Sequence, residues 1–179
     1  GYDDKGSEYF TLRVRDLATG QDLADVIENT GGGGAWAPDG KSFFYTVLDD
    51  NHRPSKIFHH VLGTSQADDR LVYEEDDPGF FMSVGGSLLD DFIYIDIHDH
   101  ETSEYRLLST SDLTAEPKLV AERVTGLEYS MTEGGDVFYI LTNADGAKDF
   151  KIVEAPVHAP GKENWREVVP HKPGTLILS

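Results

Sequence analysis

The sequence predicts an all-β fold, a partial β-propeller built from four-stranded antiparallel blades, and a repeated apolar phrase is the main reason. The phrase occurs as Phe43-Phe44-Tyr45, Phe92-Ile93-Tyr94 and Val137-Phe138-Tyr139. The three tyrosines are 49 and then 45 residues apart, and a strand-rich period of about 40 to 50 residues is typical of propeller blades. Helical periodicity is weak throughout, and Gly and Pro recur too often for long helices.

Each blade is expected to contain four strands, and the third strands set the register. They start at intervals of 45, 48 and 47 residues, at 11–14, 56–59, 104–107 and 151–154. Residues 10–15 alternate apolar and polar side chains, as a half-buried strand requires. Innermost strands are predicted at 33–37, 80–84 and 127–131, and outermost strands at 71–73, 118–120 and 166–168. Tyr45, Tyr94 and Tyr139 then lie on second strands.

The same register predicts one partial propeller domain over residues 1–179. Its parts are a partial blade at 9–28, complete blades at 33–76, 80–122 and 126–170, and the start of a further blade at 175–179. Gly1 and Tyr2, with no initiating Met, are interpreted as a cut inside a longer protein. Closed propellers have about four to eight blades, so we expect at least one apolar blade face to be open and to favour self-association.

Short turns rich in Asp and Gly separate the predicted strands. They are predicted at 38–40, 89–91 and 134–136, and residues 16–20 supply another, in which Asp16 can bond the backbone and Gly20 can take a positive φ. Four consecutive glycines at 31–34 could form a ligand loop. Such a run more often lets the chain pass between blades where side chains do not fit, and we favour this interpretation.

The composition limits the classes of function. The net charge of −18 repels phosphate backbones and argues against a nucleic-acid partner, although an acidic field can draw cationic ligands. The chain has no Cys, which excludes disulfide and thiolate chemistry. No apolar run reaches the roughly 18 residues that a membrane helix needs. The compartment stays open between cytoplasm and periplasm, with the cytoplasm favoured, and no cofactor is predicted.

Two segments resemble nucleotide-binding or catalytic motifs but fit turns better. Residues 35–42 end in Gly-Lys-Ser like a phosphate-binding loop, yet Pro38 has no N–H, Asp39 would repel phosphate, and strand residues follow. Residues 85–89 approach a nucleophile elbow around Ser87, but the last glycine and a following helix pattern are missing. We therefore predict no catalytic residue on this chain, although a triad could still be assembled in space from distant residues.

Possible metal ligands are concentrated at residues 96–101. They are Asp96, His98, Asp99, His100 and Glu101. Consecutive strand residues point to opposite faces, so His98 and His100 could share a face while Asp99 could not. No second cluster completes a coordination shell, so a solvated turn is favoured and no metal site is predicted. The pair His59-His60 has the same difficulty and lies in the middle of a predicted strand.

The aromatic residues of the repeated phrase are interpreted as core packing between blades rather than as a platform for stacked bases. They are Phe43, Tyr45, Phe92, Tyr94, Phe138 and Tyr139. On the innermost strands, the alternates Phe81, Ser83, Glu128 and Ser130 are candidates for lining a channel. Because one sequence does not decide which alternation faces inward, none of them is assigned as a site. Glu128 could attract basic peptides, but a solvated face is favoured.

Several stretches together are similar to the prolyl oligopeptidase superfamily. Residues 16–20, and Trp36-x-Pro38-Asp39-Gly40-Lys41 running into 43–45, resemble its blade phrase, which other propellers share. Further stretches narrow the resemblance to oligopeptidase B, also called protease II. They are residues 52–56, 60–64, 71–75, 102–104, 126–129, 138–143, 155–156, 165–167 and 170–171. Residues 82–90 depart from the usual family pattern.

Membership of this family implies a serine peptidase of two domains, in which a seven-bladed propeller caps an α/β-hydrolase domain that carries Ser, Asp and His. It also implies cleavage of peptides of limited size after Arg or Lys, with the propeller filtering access. The chain matches only the middle of the propeller, so the hydrolase domain is the implied partner and the chain alone is expected to be inactive. Two alternatives remain: a noncatalytic propeller scaffold that binds proteins, and a metal-dependent module using His98 and His100.

Overall fold

The computed structural model describes residues 1–178 and shows a chain built from β-strands. It divides into two compact units, Gly1–Gly86 and the residues from Ser87 onward. In the described part, the helical segments are short 3₁₀ turns at Gln66–Asp68, Ala144–Gly146 and Lys162–Asn164. No helix among these residues has the length and apolar character needed to cross a membrane. The predicted all-β class is confirmed.

The strands form three antiparallel sheets. The first unit contains β1 (Phe10–Asp16), β2 (Gln21–Trp36), β3 (Ser42–Leu48), β4 (Pro54–Val61), β5 (Arg70–Glu74) and β6 (Phe81–Gly86). The second unit contains β7 (Phe92–His98), β8 (Ser103–Ser109), β9 (Lys118–Leu119), β10 (Tyr129–Glu133), β11 (Val137–Thr142), β12 (Lys151–Pro156) and β13 (Arg166–Val169). The sheet orders are β1-β2-β3-β4-β5, β6-β7-β8-β9 and β10-β11-β12-β13. Neighbours in sequence are neighbours in every sheet, as expected for blades, while the number of blades stays a prediction.

The first sheet has five strands and contains both the predicted partial blade at 9–28 and the predicted blade at 33–76, and the division between these blades stays a prediction. One strand, β2, runs through both segments: its first half pairs with β1 and its second half with β3. The pairing register shifts between Thr30 and Gly34. The glycine run does not end the strand because an extended glycine still carries both the N–H and the C=O that a ladder needs.

The two halves of β2 do not lie in one flat sheet. In a flat strand Asp25 would lie about 36 Å from Trp36, eleven positions along. Trp36 pairs with Phe43, and Phe43 pairs with His60, so Trp36 and His60 are only two strands apart. The Asp25 carboxylate nevertheless lies 3.0 Å from the His60 ring. The strand therefore bends back in the glycine run, and its first half lies over β4.

The glycine run fits where side chains would not. A Cβ on Gly34 would lie 2.2 Å from the carbonyl oxygen of Phe44, and one on Gly31 would lie 2.5 Å from the Thr46 hydroxyl. Gly32 has a φ of +86°, which side chains rarely allow. This supports the interpretation that the glycine run lets the chain pass where side chains do not fit. The run lies inside one strand, β2.

The core of the first unit lies between the first half of β2 and the sheet that follows. Ile27 packs there against Phe43 and Tyr45, which are all buried. On β3 the five residues Ser42–Thr46 are buried without alternation, and β6 lies against β2, β3 and β4. A strand that is buried without alternation has both faces covered, as a strand in the middle of stacked sheets must be.

The predicted turns of the first unit are confirmed. At 38–40 the Gly40 N–H donates to the Ala37 carbonyl over 3.0 Å, and Gly40 has a φ of +65°. At 16–20 one carboxylate oxygen of Asp16 accepts the Ala18 N–H over 2.8 Å. Gly20 has a φ of +70°, which only glycine adopts without a steric penalty.

The second unit has its own core between its two sets of strands. Its buried members are Tyr105, Leu107, Val120, Ala121, Leu127, Tyr129, Phe138, Ile140, Ala144, Val153 and Ala155. The Tyr129 hydroxyl accepts the Tyr105 N–H over 2.8 Å. The outer strand β9 is only two residues long. The Tyr129 hydroxyl therefore bonds the Tyr105 N–H, a backbone group that a longer outer strand would otherwise bond.

The aromatic stripe is core packing at five positions and exposed at the sixth. Phe43, Tyr45 and Phe138 are buried, and Phe92 and Tyr94 pack partly buried against the second core. Tyr139 is 44% exposed, which corrects its assignment to the core. On β11 the burial alternates, so Phe138 and Ile140 take the covered face and Tyr139 takes the other.

The start of a further blade at 175–179 is not established. Residues 175–178 are not in a strand, although the Ile177 N–H donates to the Asp149 carbonyl over 3.0 Å. An innermost strand is defined by its pairing with the second strand of the same blade. Among the described residues, no strand pairs with 175–178. Residue 179 lies outside the described residues, and this part of the register stays a prediction.

Candidate functional site

The innermost strands present the residues that we considered for a channel. On β6, Phe81 and Ser83 are exposed while Met82 between them is buried. Glu128, just before β10, is half-buried, and Ser130 on β10 is exposed. The Glu128 N–H donates to the Asn143 side chain over 2.9 Å. All four side chains are thus accessible on this chain, and their role in a channel stays a prediction.

A buried polar network is the most unusual arrangement of side chains in the first unit. His60 has no exposed surface. Its Nε2 lies 3.0 Å from Oδ1 of Asp25, and its Nδ1 lies 2.7 Å from Oδ1 of Asp69. The Asp25 oxygen also accepts the Gly63 N–H over 2.6 Å, and the Tyr45 hydroxyl donates to Oδ2 of Asp69 over 2.7 Å.

The strand register explains why these groups meet. Phe43 pairs with His60, and Tyr45 pairs with Phe58 two positions earlier on β4. Alternation therefore places Tyr45 and His60 on one face of the sheet. The first half of β2 covers that face and brings Asp25, and Asp69 follows the 3₁₀ turn Gln66–Asp68.

Hydrogen bonds set the proton affinities within this network. Burial tends to raise the pKa of Asp25, but the bonds from the Gly63 N–H and His60 outweigh it, and the pKa lies below its ordinary value. Burial and the neighbouring Asp69 carboxylate raise the pKa of Tyr45. Tyr45 therefore stays a hydroxyl donor, and Asp25 stays an acceptor.

The network cannot serve as the general base of a hydrolase. A general base needs a ring nitrogen within reach of the group that it deprotonates. Both nitrogens of His60 face carboxylates, and the ring has no exposed surface. The sequence argument about His59 and His60 excluded a shared metal site but did not find this network, because Asp25 is 35 positions away along the chain.

The predicted cluster at 96–101 separates into a strand end and a turn. Asp96 and His98 share one face of β7, and their side chains approach to 3.4 Å. Asp99 belongs to the turn, where its carboxylate accepts the N–H groups of Glu101 and Thr102, each over 2.7 Å. Within residues 1–178, no group of three or more His, Asp or Glu side chains is placed to hold a metal ion. The absence of a metal site on this chain stays a prediction.

Replacing Asp96 by Asn should stabilise the second unit at neutral pH. Burial raises the pKa of Asp96, against the smaller opposing effects of His98 and the Tyr105 hydroxyl. An acid whose pKa is raised by folding binds its proton more tightly when folded, so stability falls as the pH rises from its ordinary value through the folded one. We expect Asp96→Asn to raise the Tm by a few degrees at pH 7, with the difference vanishing in acid.

Thermal unfolding followed by circular dichroism between pH 3 and pH 8 measures this effect. Asp99→Asn is the matched control, because backbone N–H bonds from Glu101 and Thr102 lower the pKa of Asp99. Its substitution should reduce stability at pH 7, which is the opposite direction. A lower Tm for Asp96→Asn than for the unmodified chain at pH 7 would contradict the prediction.

The two motif-like segments are turns. Ser87 lies between β6 and β7, where its N–H donates to the Phe92 carbonyl and its hydroxyl accepts the Phe92 N–H over 3.0 Å. In the Gly-Lys-Ser segment, the Lys41 N–H donates to the Asp39 carboxylate over 2.9 Å. A backbone amide that is bonded to a carboxylate is not free to bind phosphate. Both predicted turns are confirmed.

A buried ion pair in the second unit was not predicted. The Glu104 side chain is almost fully buried between Arg106, whose Nε lies 2.8 Å away, and Arg123, whose Nε lies 3.3 Å away. Buried carboxylates are stable only when they are paired. Burial on β8 does not alternate strictly. The alternation of the sequence therefore could not show that Glu104 is buried.

Two cavities within the described residues can be compared with typical small-molecule sites. In the first unit, a cavity of about 190 Å³ lies beside the glycine run and is lined in part by Leu12, Trp36 and Phe43. Ligand pockets typically have volumes of about 300 to 1,000 Å³ and a few convergent polar groups. A shallow depression of about 580 Å³ in the second unit lies between residues 119–124 and 159–163. Because it lies at an outer strand, we interpret this depression as an irregularity of the surface rather than as a binding pocket.

Comparison with known proteins identifies the family. The family model described as "Prolyl oligopeptidase, N-terminal beta-propeller domain" matches residues 1–179. Dipeptidyl aminopeptidase BI of Pseudoxanthomonas mexicana is 36% identical over 98% of the chain, which covers 24% of that protein. Protease 2 of Moraxella lacunata is 32% identical over 86% of the chain, which covers 22% of that protein. The chain thus spans about a quarter of the length of these relatives.

Solved structures agree with this relationship. Oligopeptidase B from Leishmania major superposes with a TM-score of 0.88 at 30% identity, over 96% of this chain and 24% of that one. Oligopeptidase B from Trypanosoma brucei, in a closed form with covalently bound antipain, gives a TM-score of 0.78 at 31% identity, over 84% and 22%. The sheets, the turns and the family match agree, and the chain belongs to the prolyl oligopeptidase family, within its N-terminal β-propeller domain.

Proposed function

We propose that this chain is the middle part of the propeller of a serine peptidase similar to oligopeptidase B, which hydrolyses peptides after Arg or Lys. The propeller has seven blades in this proposal, supplies no catalytic residue and filters the access of substrates. The observation that carries the proposal is the family match over residues 1–179. The superposition on oligopeptidase B from Leishmania major, with a TM-score of 0.88, supports the choice within the family.

The local chemistry supports a noncatalytic role. The His–Asp arrangement around His60, in which both ring nitrogens face carboxylates, is closed to solvent. Ser87, the residue nearest to a nucleophile motif, is bonded into a turn. The net charge of −18 would draw basic peptides toward the molecule at low ionic strength. Each of these features is compatible with a domain that surrounds an active site without contributing catalytic residues to it.

The main partner in this proposal is an α/β-hydrolase domain of the same protein. The chain covers 24% of the length of Dipeptidyl aminopeptidase BI and 24% of oligopeptidase B from Leishmania major, so most of the length of such proteins lies outside the matched part. That domain would hold a Ser nucleophile activated by His, and an oxyanion hole, for acyl transfer. Peptide substrates and self-association through open blade faces stay further predictions, as does the absence of nucleic-acid and membrane partners.

The purified chain alone should not hydrolyse peptides, whereas the full-length gene product should cleave an arginyl reporter. Acyl transfer needs a nucleophile, a base and an oxyanion hole acting together, and we assign none of them to this chain. Fluorogenic assays of both proteins, beside a mock purification from cells without the gene, measure the difference. Hydrolysis by the chain that exceeds the mock control would contradict its noncatalytic role. A full-length protein that cleaves no arginyl or lysyl reporter would contradict the specificity.

A second candidate activity is the release of dipeptides, because the relative at 36% identity is named a dipeptidyl aminopeptidase. The two activities differ in their need for a free amino terminus. An amino-terminally blocked arginyl reporter is a substrate for an endopeptidase, and an unblocked dipeptide reporter is a substrate for a dipeptidyl peptidase. Comparing kcat/KM for the two reporters with the full-length protein decides between them, while the assignment of the propeller is the same in both cases.

A further inference from the structure

Three aromatic side chains of the second unit form a continuous row, which we call the aromatic row. Its members, in order of contact, are Trp165, Tyr129 and Tyr105. The ring centroids of Trp165 and Tyr129 are 5.4 Å apart, and those of Tyr129 and Tyr105 are also 5.4 Å apart. Rings at such separations pack directly on each other. Since electron transfer becomes faster as two groups approach, the row offers a path for an electron.

The aromatic row leads from an accessible ring to enclosed rings. Trp165 is only partly buried, and its indole N–H donates to the Pro160 carbonyl over 3.0 Å. Tyr129 and Tyr105 are 3% and 8% exposed. One-electron oxidants such as the azide radical attack an indole faster than a protonated phenol. An oxidant dissolved in water therefore removes an electron from Trp165 before it reaches the two tyrosines.

Tyr105 has a partner that can take its proton. Asp96 on β7 pairs directly with Tyr105 on β8, and the Asp96 carboxylate is hydrogen-bonded to the Tyr105 hydroxyl. Burial raises the pKa of Tyr105, so the hydroxyl keeps its proton at neutral pH. A phenol that loses an electron becomes strongly acidic. A carboxylate in contact with the hydroxyl then takes the proton and makes the loss of the electron easier.

The hydroxyl of Tyr129 has contacts of the opposite kind. Its oxygen accepts the Tyr105 N–H over 2.8 Å, and it accepts a second backbone bond from Ala121. Both groups donate protons to the oxygen and draw electron density toward it, which makes the loss of an electron harder. Of the two tyrosines, Tyr105 is therefore the more easily oxidised, and Tyr129 lies between it and the indole.

We propose that the aromatic row returns an electron to oxidised Trp165, so that the oxidation comes to rest as a tyrosyl radical on Tyr105 with the hydroxyl proton on Asp96. Trp165 is thereby restored before dioxygen adds irreversibly to its ring. The row gives the second unit a protective function against one-electron oxidants. This inference stands independently of the proposed peptidase function.

The electrons and protons balance with one external oxidant. An azide radical takes an electron from the Trp165 indole and becomes an azide ion, and the indole radical cation loses its Nε1 proton to water. An electron then passes from Tyr105 through Tyr129 to the indole radical, which takes a proton back from water. The Tyr105 hydroxyl proton moves to the Asp96 carboxylate in the same step. No bond between heavy atoms forms or breaks.

Pulse radiolysis of the 179-residue chain in a Trp36→Phe background tests the proposal, because Trp165 is then the only Trp. Azide radicals oxidise the indole, and the absorption of the indole radical and of the tyrosyl radical is followed in time. We expect the indole radical to decay as the tyrosyl radical forms, at a rate that does not depend on protein concentration. A rate proportional to protein concentration, or an indole radical that decays without forming a tyrosyl radical, overturns the proposal.

Variants identify the route and the resting place of the oxidation. Tyr129→Phe and Tyr105→Phe should each lose the fast, concentration-independent phase, and Asp96→Asn should slow it. Tyr139→Phe is the matched control, since this ring is 44% exposed and lies outside the aromatic row, and it should keep the rate. If a Phe variant does not fold, Asp96→Asn decides, because we expect it to be stabilised at pH 7. An unchanged rate in Tyr105→Phe or Asp96→Asn, or loss of the phase in Tyr139→Phe, counts against the proposal.

Discussion

Replacing Gly34 by Ala is expected to break the pairing of β2 with β3 and to destabilise the first unit by about 3 kcal/mol. A Cβ at this position would lie 2.2 Å from the Phe44 carbonyl oxygen. The obstacle is backbone rather than the end of a flexible side chain, so no rotamer change relieves the clash. The strands must separate there, and the Gly34–Tyr45 pair that sets the register is lost.

Gly33→Ala is the matched control for this substitution. Nothing lies within 4 Å of the place where its Cβ would be, so the same chemical change one residue earlier should alter stability by less than about 1 kcal/mol. Amide exchange of β2 and β3, together with the thermal midpoint, measures both variants. Equal effects at the two positions would mean that the glycine run is needed for its flexibility rather than for the close approach of two strands.

The strands could be predicted because their side chains obey short-range rules. The third strands at 56–59, 104–107 and 151–154 lie inside β4, β8 and β12. The turns also followed from local chemistry, since Asp16 and Gly20 act within a few residues of each other. The positions of strands and turns, which depend on side-chain alternation and on turn residues, can therefore be predicted from one sequence.

The continuous strand β2 was not predicted, because the glycine run was interpreted as a passage of the chain between two blades. A glycine in a strand loses side-chain packing and conformational entropy, which makes a break the ordinary expectation. Here the tight contacts of Gly31 and Gly34 require the absence of a side chain. The reason for the glycines thus lies on β3, at Phe44 and Thr46, and no property of the run itself reveals it.

The network around His60 was missed for a related reason. The argument about His59 and His60 considered only sequence neighbours and the two faces of one strand. Asp69 is 9 positions away and Asp25 is 35 positions away. A buried polar group requires partners, so a His in the middle of a predicted strand was a signal that partners could exist. Their identity depends on how the bend in β2 brings Asp25 onto His60, which no short-range pattern of the sequence specifies.

Tyr139 shows how a repeat can mislead about burial. Tyr45 and Tyr139 occupy equivalent positions of the repeated phrase, yet their exposed fractions are 1% and 44%. On β3 both faces are covered, whereas on β11 burial alternates. The phrase therefore predicts the strand correctly, while burial depends on what lies on each face of the sheet.

Because burial alternates on β11, replacing the buried Phe138 by Ala is expected to destabilise the second unit strongly. Phe138 is 1% exposed and packs in the core of the second unit beside Phe92, with ring centroids 5.4 Å apart. Removing a buried aromatic ring loses its transfer free energy and leaves a cavity, at a cost of about 3 to 5 kcal/mol. Urea unfolding followed by Trp165 fluorescence in a Trp36→Phe background measures it, because Trp165 packs against Tyr129 of the same core.

Tyr139→Ala is the matched control, since it removes a ring of similar size from the next residue of β11. With 44% of its surface exposed, Tyr139 should contribute less than about 1 kcal/mol to the free energy of unfolding. A large loss at Tyr139 that grows with protein concentration would mean that a second copy covers this face of the sheet, as the expected self-association requires. A large loss that is independent of concentration would contradict the alternation of burial on β11, because the ring would then be packed within its own chain.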